Sequence, residues 1–263
     1  MKIQKAFLCV TDQEYLYRMQ LFIFDDYESL SHRAADEIIS LVKHKPDAVL
    51  CLAAGNTPVL TYKYLVQKAR DENIDFSNCT FIGLDEWVGI PPDNEGSCAW
   101  FLRKNIFNNL NFLPSRIHLF DALAAHLQRE CTAMDRVIVD SGGIDLMVVG
   151  IGMNGHIGFN EPDTSFDLYS HISQLDATTR LVGQKYFKEQ TSLGLGLTLG
   201  LKHLLESKKV VLLANGRSKA DIIQKALLGE INPAVPASII RQHTESIIMI
   251  DKEVASHLKQ KDN

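Results

Sequence analysis

The six residues Ala48-Val49-Leu50-Cys51-Leu52-Ala53 form an unbroken apolar run. A strand that is covered on one face alternates apolar and polar side chains, whereas a continuous apolar run is typical of a strand buried on both faces. Strands of that kind occur in parallel sheets with helices on both sides. This stretch therefore predicts an α/β protein built around a parallel sheet.

Further short apolar stretches recur along the chain, and segments with helical spacing lie between them. Strands are predicted at 21–24, 79–84, 117–120, 144–149, 209–214 and 245–250. Helices are predicted at 27–42, 60–69, 97–110, 123–141, 197–206 and 219–228. Such alternation is typical of βαβ units. We therefore expect an α/β fold of the Rossmann-like kind, a doubly wound, mostly parallel sheet with helices on both faces.

The same pattern contains no linker, internal repeat or low-complexity tract, so we expect residues 21–263 to form a single domain. Residues 1–20 have mixed polarity and no clear period, and we interpret them as an N-terminal extension.

The composition narrows the class of protein. Hydrophobic residues make up 46% and charged residues 22%, which is the balance of a globular protein with a core. The formal net charge of -5 argues against nucleic acid as a partner, because a phosphate backbone favours a basic surface. Five cysteines without a CxxC pair indicate reduced thiols and a cytoplasmic location. No apolar run approaches the ~20 residues that cross a bilayer, so no membrane partner is expected. Assembly into a homo-oligomer is compatible with these numbers.

Ligands of doubly wound sheets bind at the carboxyl ends of the strands. After the first apolar run come Gly55, Asn56 and Thr57, directly before a predicted helix. The free N–H groups and the dipole at a helix N-terminus favour an anion such as phosphate. An ordinary strand-to-helix turn is the alternative interpretation of this segment.

A pair of carboxylates, Asp85 and Glu86, follows the strand predicted at 79–84. Successive side chains of a strand point to opposite faces, so at most one of the two is expected to face the cleft. A partly desolvated carboxylate there can act as a general base. Solvated loop charges, or an acidic pair at a helix start, are the alternative.

The segment 150–162, GIGMNGHIGFNEP, contains a formal GxGxxG after a strand. A dinucleotide site needs a helix to follow at once, and Gly158 and Pro162 oppose one, so we reject that interpretation. The segment also contains Asn154, His156 and Glu161. Histidine is suited to proton transfer near neutral pH, and a nearby carboxylate can fix its tautomer. A glycine-rich loop with a capping histidine is the alternative.

Cations follow one further predicted strand end, at 209–214, and another cation lies elsewhere in the chain. Arg217 and Lys219 lie near the start of a predicted helix, and Arg180 follows Thr179. Cations near helix N-termini oppose the helix dipole, and an anion between them would explain their position. For each one alone, a solvated surface charge is the alternative.

Four segments, in chain order, resemble the successive motifs of the glucosamine-6-phosphate isomerase/deaminase family. These are 52–62 (LAAGNTPVLTY), 84–89 (LDEWVG), 150–162 (GIGMNGHIGFNEP) and 212–220 (LLANGRSKA). The resemblance extends from about residue 21 to about residue 251. Within the family the chain is most similar to the galactosamine-6-phosphate branch, through 171–177 (HISQLDA), 197–202 (LTLGLK), 90–91 (IP) and Asn154.

The resemblance implies an activity and a role for each matched residue. The implied reaction is isomerisation with deamination of a hexosamine 6-phosphate, here galactosamine 6-phosphate, to a ketohexose 6-phosphate and ammonia. It requires no metal and no redox cofactor. The implied roles are a base that moves a proton between C1 and C2 for Asp85, ring opening for His156, support of that histidine for Glu161, and phosphate binding for Gly55, Asn56, Thr57, Arg180 and Lys219.

One position departs from the glucosamine branch, which usually has Asp where this chain has Asn154. Asparagine forms hydrogen bonds but supplies no charge. Either Glu161 alone carries the electrostatic part of the catalytic role, or the substrate differs. Asn154 is therefore included among the candidate catalytic residues and favours galactosamine.

Three alternatives remain at this point. Glucosamine-6-phosphate deaminase is the nearest. A 6-phosphogluconolactonase shares this type of fold and a Gly-His loop but usually lacks the Asn-Glu-Pro that ends the motif. A non-catalytic sugar-phosphate-sensing domain of a transcription regulator would carry a helix-turn-helix, for which about 20 N-terminal residues are too few.

Overall fold

The computed structural model describes residues 4–6 and 19–258. Its strands are β1 (Gln4–Ala6), β2 (Gln20–Phe24), β3 (Val49–Leu52), β4 (Thr80–Ile82), β5 (Asp85–Trp87), β6 (Ile117–His118), β7 (Leu146–Gly150), β8 (His171–Gln174), β9 (Leu195–Thr198), β10 (Val210–Ala214) and β11 (Ser246–Asp251). Its α-helices are α1 (Tyr27–His44), α2 (Val59–Asp71), α3 (Cys98–Leu102), α4 (Leu127–Asp140), α5 (Ala177–Gly183), α6 (Leu201–Glu206) and α7 (Ala220–Leu228).

The main sheet has the strand order β1-β2-β11-β10-β7-β3-β4-β6. Seven of these strands are parallel, and only β1 runs antiparallel, beside β2 at the edge. From β3 the chain adds β4 and β6 on one side, then returns to add β7, β10 and β11 on the other. The strand order therefore reverses between β3 and β7. This confirms the predicted doubly wound, mostly parallel sheet.

The central strands are buried on both faces, as the run 48–53 predicted. Val49 and Cys51 belong to a core that includes side chains of α4, α6 and α7. Leu50 and Leu52 belong to a second core, on the opposite face, with side chains of α1, α2 and α3. Alternate residues of one strand thus stabilise two separate helix layers.

A second, three-stranded antiparallel sheet, in the order β5-β9-β8, was not predicted. The helix predicted at 197–206 is wrong at its start, because β9 occupies 195–198 and α6 begins only at Leu201. Leu197, Leu201 and Leu204 stand at spacings of four and three residues, which mimics one helical face. Gly200 separates the two elements, and a side chain there would collide with the backbone of Leu168.

Other element boundaries differ from the prediction. Helix α4 begins at Leu127 instead of 123, and the segment 97–110 forms the short α3 followed by a π-helical turn at Arg103–Phe107. A 3₁₀ turn, Arg217–Lys219, leads into α7. Most of the predicted N-terminal extension, 1–20, lies outside the described residues. Across the part of the chain that the structure describes, no helix is long and apolar enough to cross a membrane.

Candidate active site

The loops that follow β10, β7, β3 and β4 enclose a cavity of about 560 Å³. These four strands are neighbours in the sheet, and the cavity lies at their carboxyl ends, where the strand order reverses. Ligands of doubly wound sheets bind at such switch points. Six of the predicted site residues line the cavity: Gly55, Asn56, Thr57, Asp85, His156 and Lys219.

The acidic pair separates as the alternation of a strand requires. Asp85, on β5, faces the cavity. Glu86 is 4% exposed and accepts hydrogen bonds from the backbone N–H groups of Trp87, Cys98 and Ala99 at 2.9, 2.9 and 2.8 Å. Glu86 therefore fixes the start of α3 against β5, and Asp85 is the carboxylate that a ligand can reach.

The surroundings of Asp85 favour its neutral form. Burial, and then the charge of Glu86, raise the pKa of Asp85 to about 7. The Cys98 thiol donates a hydrogen bond to Oδ1 of Asp85 at 3.5 Å, which opposes that rise. A carboxylate with a pKa near 7 can accept a proton and return it at neutral pH.

His156 lies on the loop after β7, with its imidazole packed against Gly152. A side chain at Gly152 would overlap the imidazole, so only glycine allows this approach. The Nδ1 atom of His156 lies 3.3 Å from Oε2 of Glu161 and 3.0 Å from the hydroxyl of Thr179. Because Nδ1 is engaged within the protein, Nε2 is the ring nitrogen available to a ligand.

Glu161 is 5% exposed and lies behind His156. Burial acts to raise its pKa, but hydrogen bonds from His156, Thr179 and Asn154, together with the charge of His156, lower the pKa of Glu161 below its usual value. Glu161 is thus ionised at neutral pH. An ionised carboxylate at Nδ1 holds the imidazole in one orientation.

Asn154 also lies behind the cavity and does not contact the imidazole in any hydrogen bond of the described residues. Its side-chain Nδ2 donates to Oε2 of Glu161 at 2.8 Å and to Oδ1 of Asp176 at 3.4 Å. Its Oδ1 accepts from the backbone N–H of His156 at 3.3 Å. Asn154 therefore acts on His156 through Glu161 and through the loop backbone.

The loop after β3 presents backbone to the cavity. Gly55 has φ of 111°, a conformation that favours glycine. The Tyr27 hydroxyl donates to the backbone C=O of Thr57 at 2.7 Å and accepts from the backbone N–H of Leu60, in the first turn of α2, at 3.2 Å. Tyr27 thus holds the loop and the helix start in place beside the cavity, where the dipole of α2 favours an anion.

Two lysines line the same cavity. Lys219 donates to the backbone C=O of Ile151 at 2.6 Å, and burial together with the charge of Lys185 lowers the pKa of Lys219 to about 8. Sequence reasoning missed Lys185, which lies in the 3₁₀ turn after α5. Arg180 lies on α5 with an exposed side chain and is not among the residues that line the cavity.

Among the described residues, no group of three or more His, Cys, Asp or Glu side chains is placed to hold a metal ion.

Thr198 connects the segments that carry Asp85 and His156, and it was missed because a helix was predicted at 197–206. It pairs with Asp85 across β5 and β9. Its hydroxyl accepts from the backbone N–H of Phe159 at 3.1 Å and donates to the C=O of Leu199 at 3.1 Å. One buried hydroxyl thus holds the His156 loop against the strand that carries Asp85.

The motifs that carried the resemblance surround this one cavity. The profile of the family described as glucosamine-6-phosphate isomerases/6-phosphogluconolactonase matches residues 25–249. The chain belongs to this family. A glucosamine-6-phosphate deaminase of Clostridium botulinum is 39% identical over 244 residues, which cover 92% of this chain and 100% of the relative. One of Clostridioides difficile is 38% identical over 245 residues, which cover 93% and 98%.

Solved structures of known proteins have a fold similar to that of this chain. A monomeric glucosamine-6-phosphate deaminase of the NagB superfamily has a TM-score of 0.88 at 37% identity, covering 90% of this chain and 99% of that one. A 6-phosphogluconolactonase from Trypanosoma brucei has a TM-score of 0.69 at 16% identity, covering 91% and 98%. At that identity the lactonase shows a shared fold alone.

Proposed function

We propose that this chain isomerises and deaminates a hexosamine 6-phosphate, with galactosamine 6-phosphate preferred, to give a ketohexose 6-phosphate and ammonia. The observation that carries the proposal is the Asp85 carboxylate, with a pKa of about 7, in a cavity that also contains His156 backed by Glu161. Relatives 38–39% identical over nearly the whole chain are named glucosamine-6-phosphate deaminases.

The phosphate end of the substrate is bound by the loop at 55–57 and by Lys219, with Lys185 as a second cation. The backbone of this loop supplies N–H donors, the dipole of α2 favours an anion there, and the lysines supply positive charge. A bound phosphate also relieves the repulsion between the two lysines, because an anion near Lys219 favours its charged form. Arg180 remains a proposed phosphate ligand that would reach the cavity by a change of rotamer.

Ring opening is assigned to His156. Its Nε2 takes the proton from the C1 hydroxyl and delivers a proton to the ring oxygen as the C1–O5 bond breaks. The carboxylate of Glu161 stabilises the protonated imidazole between these two transfers. The product is the open-chain amino aldehyde.

Asp85 then performs the isomerisation. Its carboxylate removes the proton from C2, the electron pair forms the C1–C2 double bond of an enolamine, and the aldehyde oxygen takes a proton from the ammonium group at C2. Return of the proton from Asp85 to C1 produces an iminium at C2. Water adds to C2, and the carbinolamine releases ammonia and leaves the ketose.

The preference for galactosamine rests on Asn154. A neutral amide occupies a position where a carboxylate is usual in the glucosamine branch, so the charge around Glu161 differs from that of the glucosamine enzymes. Asn154 lies behind the cavity, so it acts on the substrate through Glu161 and His156 and not by direct contact with the C4 hydroxyl.

Ammonia release measured side by side with glucosamine and galactosamine 6-phosphates tests the proposal. We expect ammonia from both and a higher kcat/KM with the galactosamine compound. Equal or greater kcat/KM with the glucosamine compound would contradict the preference. Absence of ammonia from both, together with hydrolysis of 6-phosphogluconolactone, would replace the proposed reaction with the lactonase reaction.

A further inference from the structure

The Asn154 amide lies between two carboxylates. Its Nδ2 donates one hydrogen bond to Glu161 and one to Asp176, and its Oδ1 accepts from the backbone N–H of His156. These three contacts fix the orientation of the amide, because only the nitrogen end can donate to carboxylates. Asp176 has no role in the proposed reaction and does not line the cavity.

Asp176 also starts the helix that reaches His156. Its Oδ1 accepts from the backbone N–H of Thr178 at 2.8 Å, as the N-cap of α5. This bond and others lower the pKa of Asp176, so the group is ionised at neutral pH. One turn later α5 supplies Thr179, whose hydroxyl lies 3.0 Å from Nδ1 of His156.

The neutrality of residue 154 follows from this arrangement. An aspartate there would lose both donated hydrogen bonds and would place a third carboxylate in contact with those of Glu161 and Asp176. Carboxylates that share a site repel one another, and at least one of them then has a raised pKa. Position 154 therefore has to be neutral for as long as position 176 is charged.

We propose that Asp176 is a positioning residue of this site. Through the Asn154 amide it holds Glu161, and through the N-cap of α5 it holds Thr179, in place around Nδ1 of His156, and the pair at 154 and 176 carries a single negative charge. The kinetic part of this inference rests on the proposed function, whereas its electrostatic part does not.

Three variants test the coupling: N154D, D176S and the double variant N154D/D176S. Serine retains the capping hydrogen bond of α5, so D176S removes the charge and leaves the cap. The matched control is N108D, which makes the same chemical change at an exposed asparagine. Each protein is examined by kcat/KM for ammonia release across the neutral pH range and by carbon NMR titration of its side-chain carboxyls.

We expect N154D to lower kcat/KM about tenfold, or about 1.4 kcal/mol, because residues in one hydrogen-bond network are energetically coupled to this extent. One carboxyl of N154D should titrate at a clearly higher pH than any carboxyl of that cluster in the wild type. The double variant moves the charge from 176 to 154. Its kcat/KM should recover to within about threefold of the wild-type value, and it should no longer contain a carboxyl that titrates at the raised pH. N108D should match the wild type.

A purely structural role of Asp176 predicts that the losses of kcat/KM in the two single variants multiply in the double variant, and that result would overturn the proposal. Identical carboxyl titration curves for N154D and the double variant would also overturn it. If the wild type released no ammonia from any hexosamine 6-phosphate, the proposed function would fail. The NMR titrations would then still decide whether positions 154 and 176 share one charge.

Discussion

The acidic pair Asp85-Glu86 shows how two identical side-chain chemistries acquire different roles. Glu86 loses water but gains three backbone N–H donors, whereas Asp85 loses water and gains only the weak thiol donor of Cys98. Burial raises the pKa of both carboxyls, but three N–H donors oppose the rise for Glu86 and only the thiol opposes it for Asp85, whose pKa rises to about 7. Sequence alternation predicted that the two would separate, but the missing donors around Asp85 could only be seen in three dimensions.

Activity should depend on the ionisation of Asp85. A base must be deprotonated, so kcat/KM should fall as the pH decreases through about 7. The substitution C98A removes the hydrogen bond from the Cys98 thiol, which lowers the pKa of Asp85. The acidic limb of the plot of kcat/KM against pH should then move to higher pH. Cys131→Ala, at a thiol on α4 away from the cavity, is the control. A limb that stays near the ordinary value of about 4 in the wild type would contradict the assignment.

At the scale of elements, β9 connects the strand that carries Asp85 to the loop that carries His156. Phe159 and Asp85 are brought together by Thr198, which donates and accepts within buried backbone. The ring of Trp87 packs on Phe159 with centroids 4.5 Å apart and reinforces the same junction. The small antiparallel sheet therefore aligns two catalytic loops that come from different strands of the main sheet.

Replacing Thr198 with valine should cost about 1–3 kcal/mol of unfolding free energy, because the N–H of Phe159 is left without its acceptor. We also expect a fall in kcat with a smaller change in KM, since the phosphate loop is untouched. Chemical denaturation and steady-state kinetics measure both effects. Thr132→Val, at an exposed site on α4, should change neither. An unaltered kcat in a less stable T198V would separate Thr198 from catalysis.

The same elements show what sequence could and could not predict. The strands at 48–53 and 144–149 were predicted because burial on both faces leaves a local pattern of apolar residues. Strand β9 was missed because Leu197, Leu201 and Leu204 imitate one helical face across a glycine break. Lys185 and Thr179 were missed because α5 brings them to the cavity through packing, which leaves no pattern in their own neighbourhood.

At the scale of the whole molecule, chemistry and stability occupy opposite ends of the sheet. The cavity lies at the carboxyl ends, while Asp145 lies before the amino end of β7. There it accepts from Lys45, Lys208 and the backbone N–H of Val49 at 2.6, 2.7 and 2.8 Å. Asp145 is 4% exposed and joins β3 to β7 at the centre of the fold.

The substitution D145N should destabilise the protein without changing kcat. Burial raises the pKa of Asp145, but hydrogen bonds from Lys208, Lys45 and Val49 outweigh this effect and lower it below the usual value. A lowered folded pKa stabilises the fold above the unfolded value of about 4, and the benefit is lost as the pH falls through the folded value. We expect D145N to lose about 1 kcal/mol of unfolding free energy at neutral pH, because both lysines are partly exposed, and to lose less in acid. Chemical denaturation of both proteins at several pH values measures this difference. An equal loss of unfolding free energy at every pH would contradict the role of the ion pairs.

The whole account depends on Asp85 as the group that moves the proton between C2 and C1. Ammonia release by D85N at saturating hexosamine 6-phosphate tests it most directly. We expect kcat to fall by about 10²- to 10⁴-fold with little change in KM. The thermal unfolding temperature at mildly alkaline pH should be unchanged or higher, because the amide removes a poorly solvated charge. Undiminished turnover of every hexosamine 6-phosphate by a folded D85N would contradict the central claim.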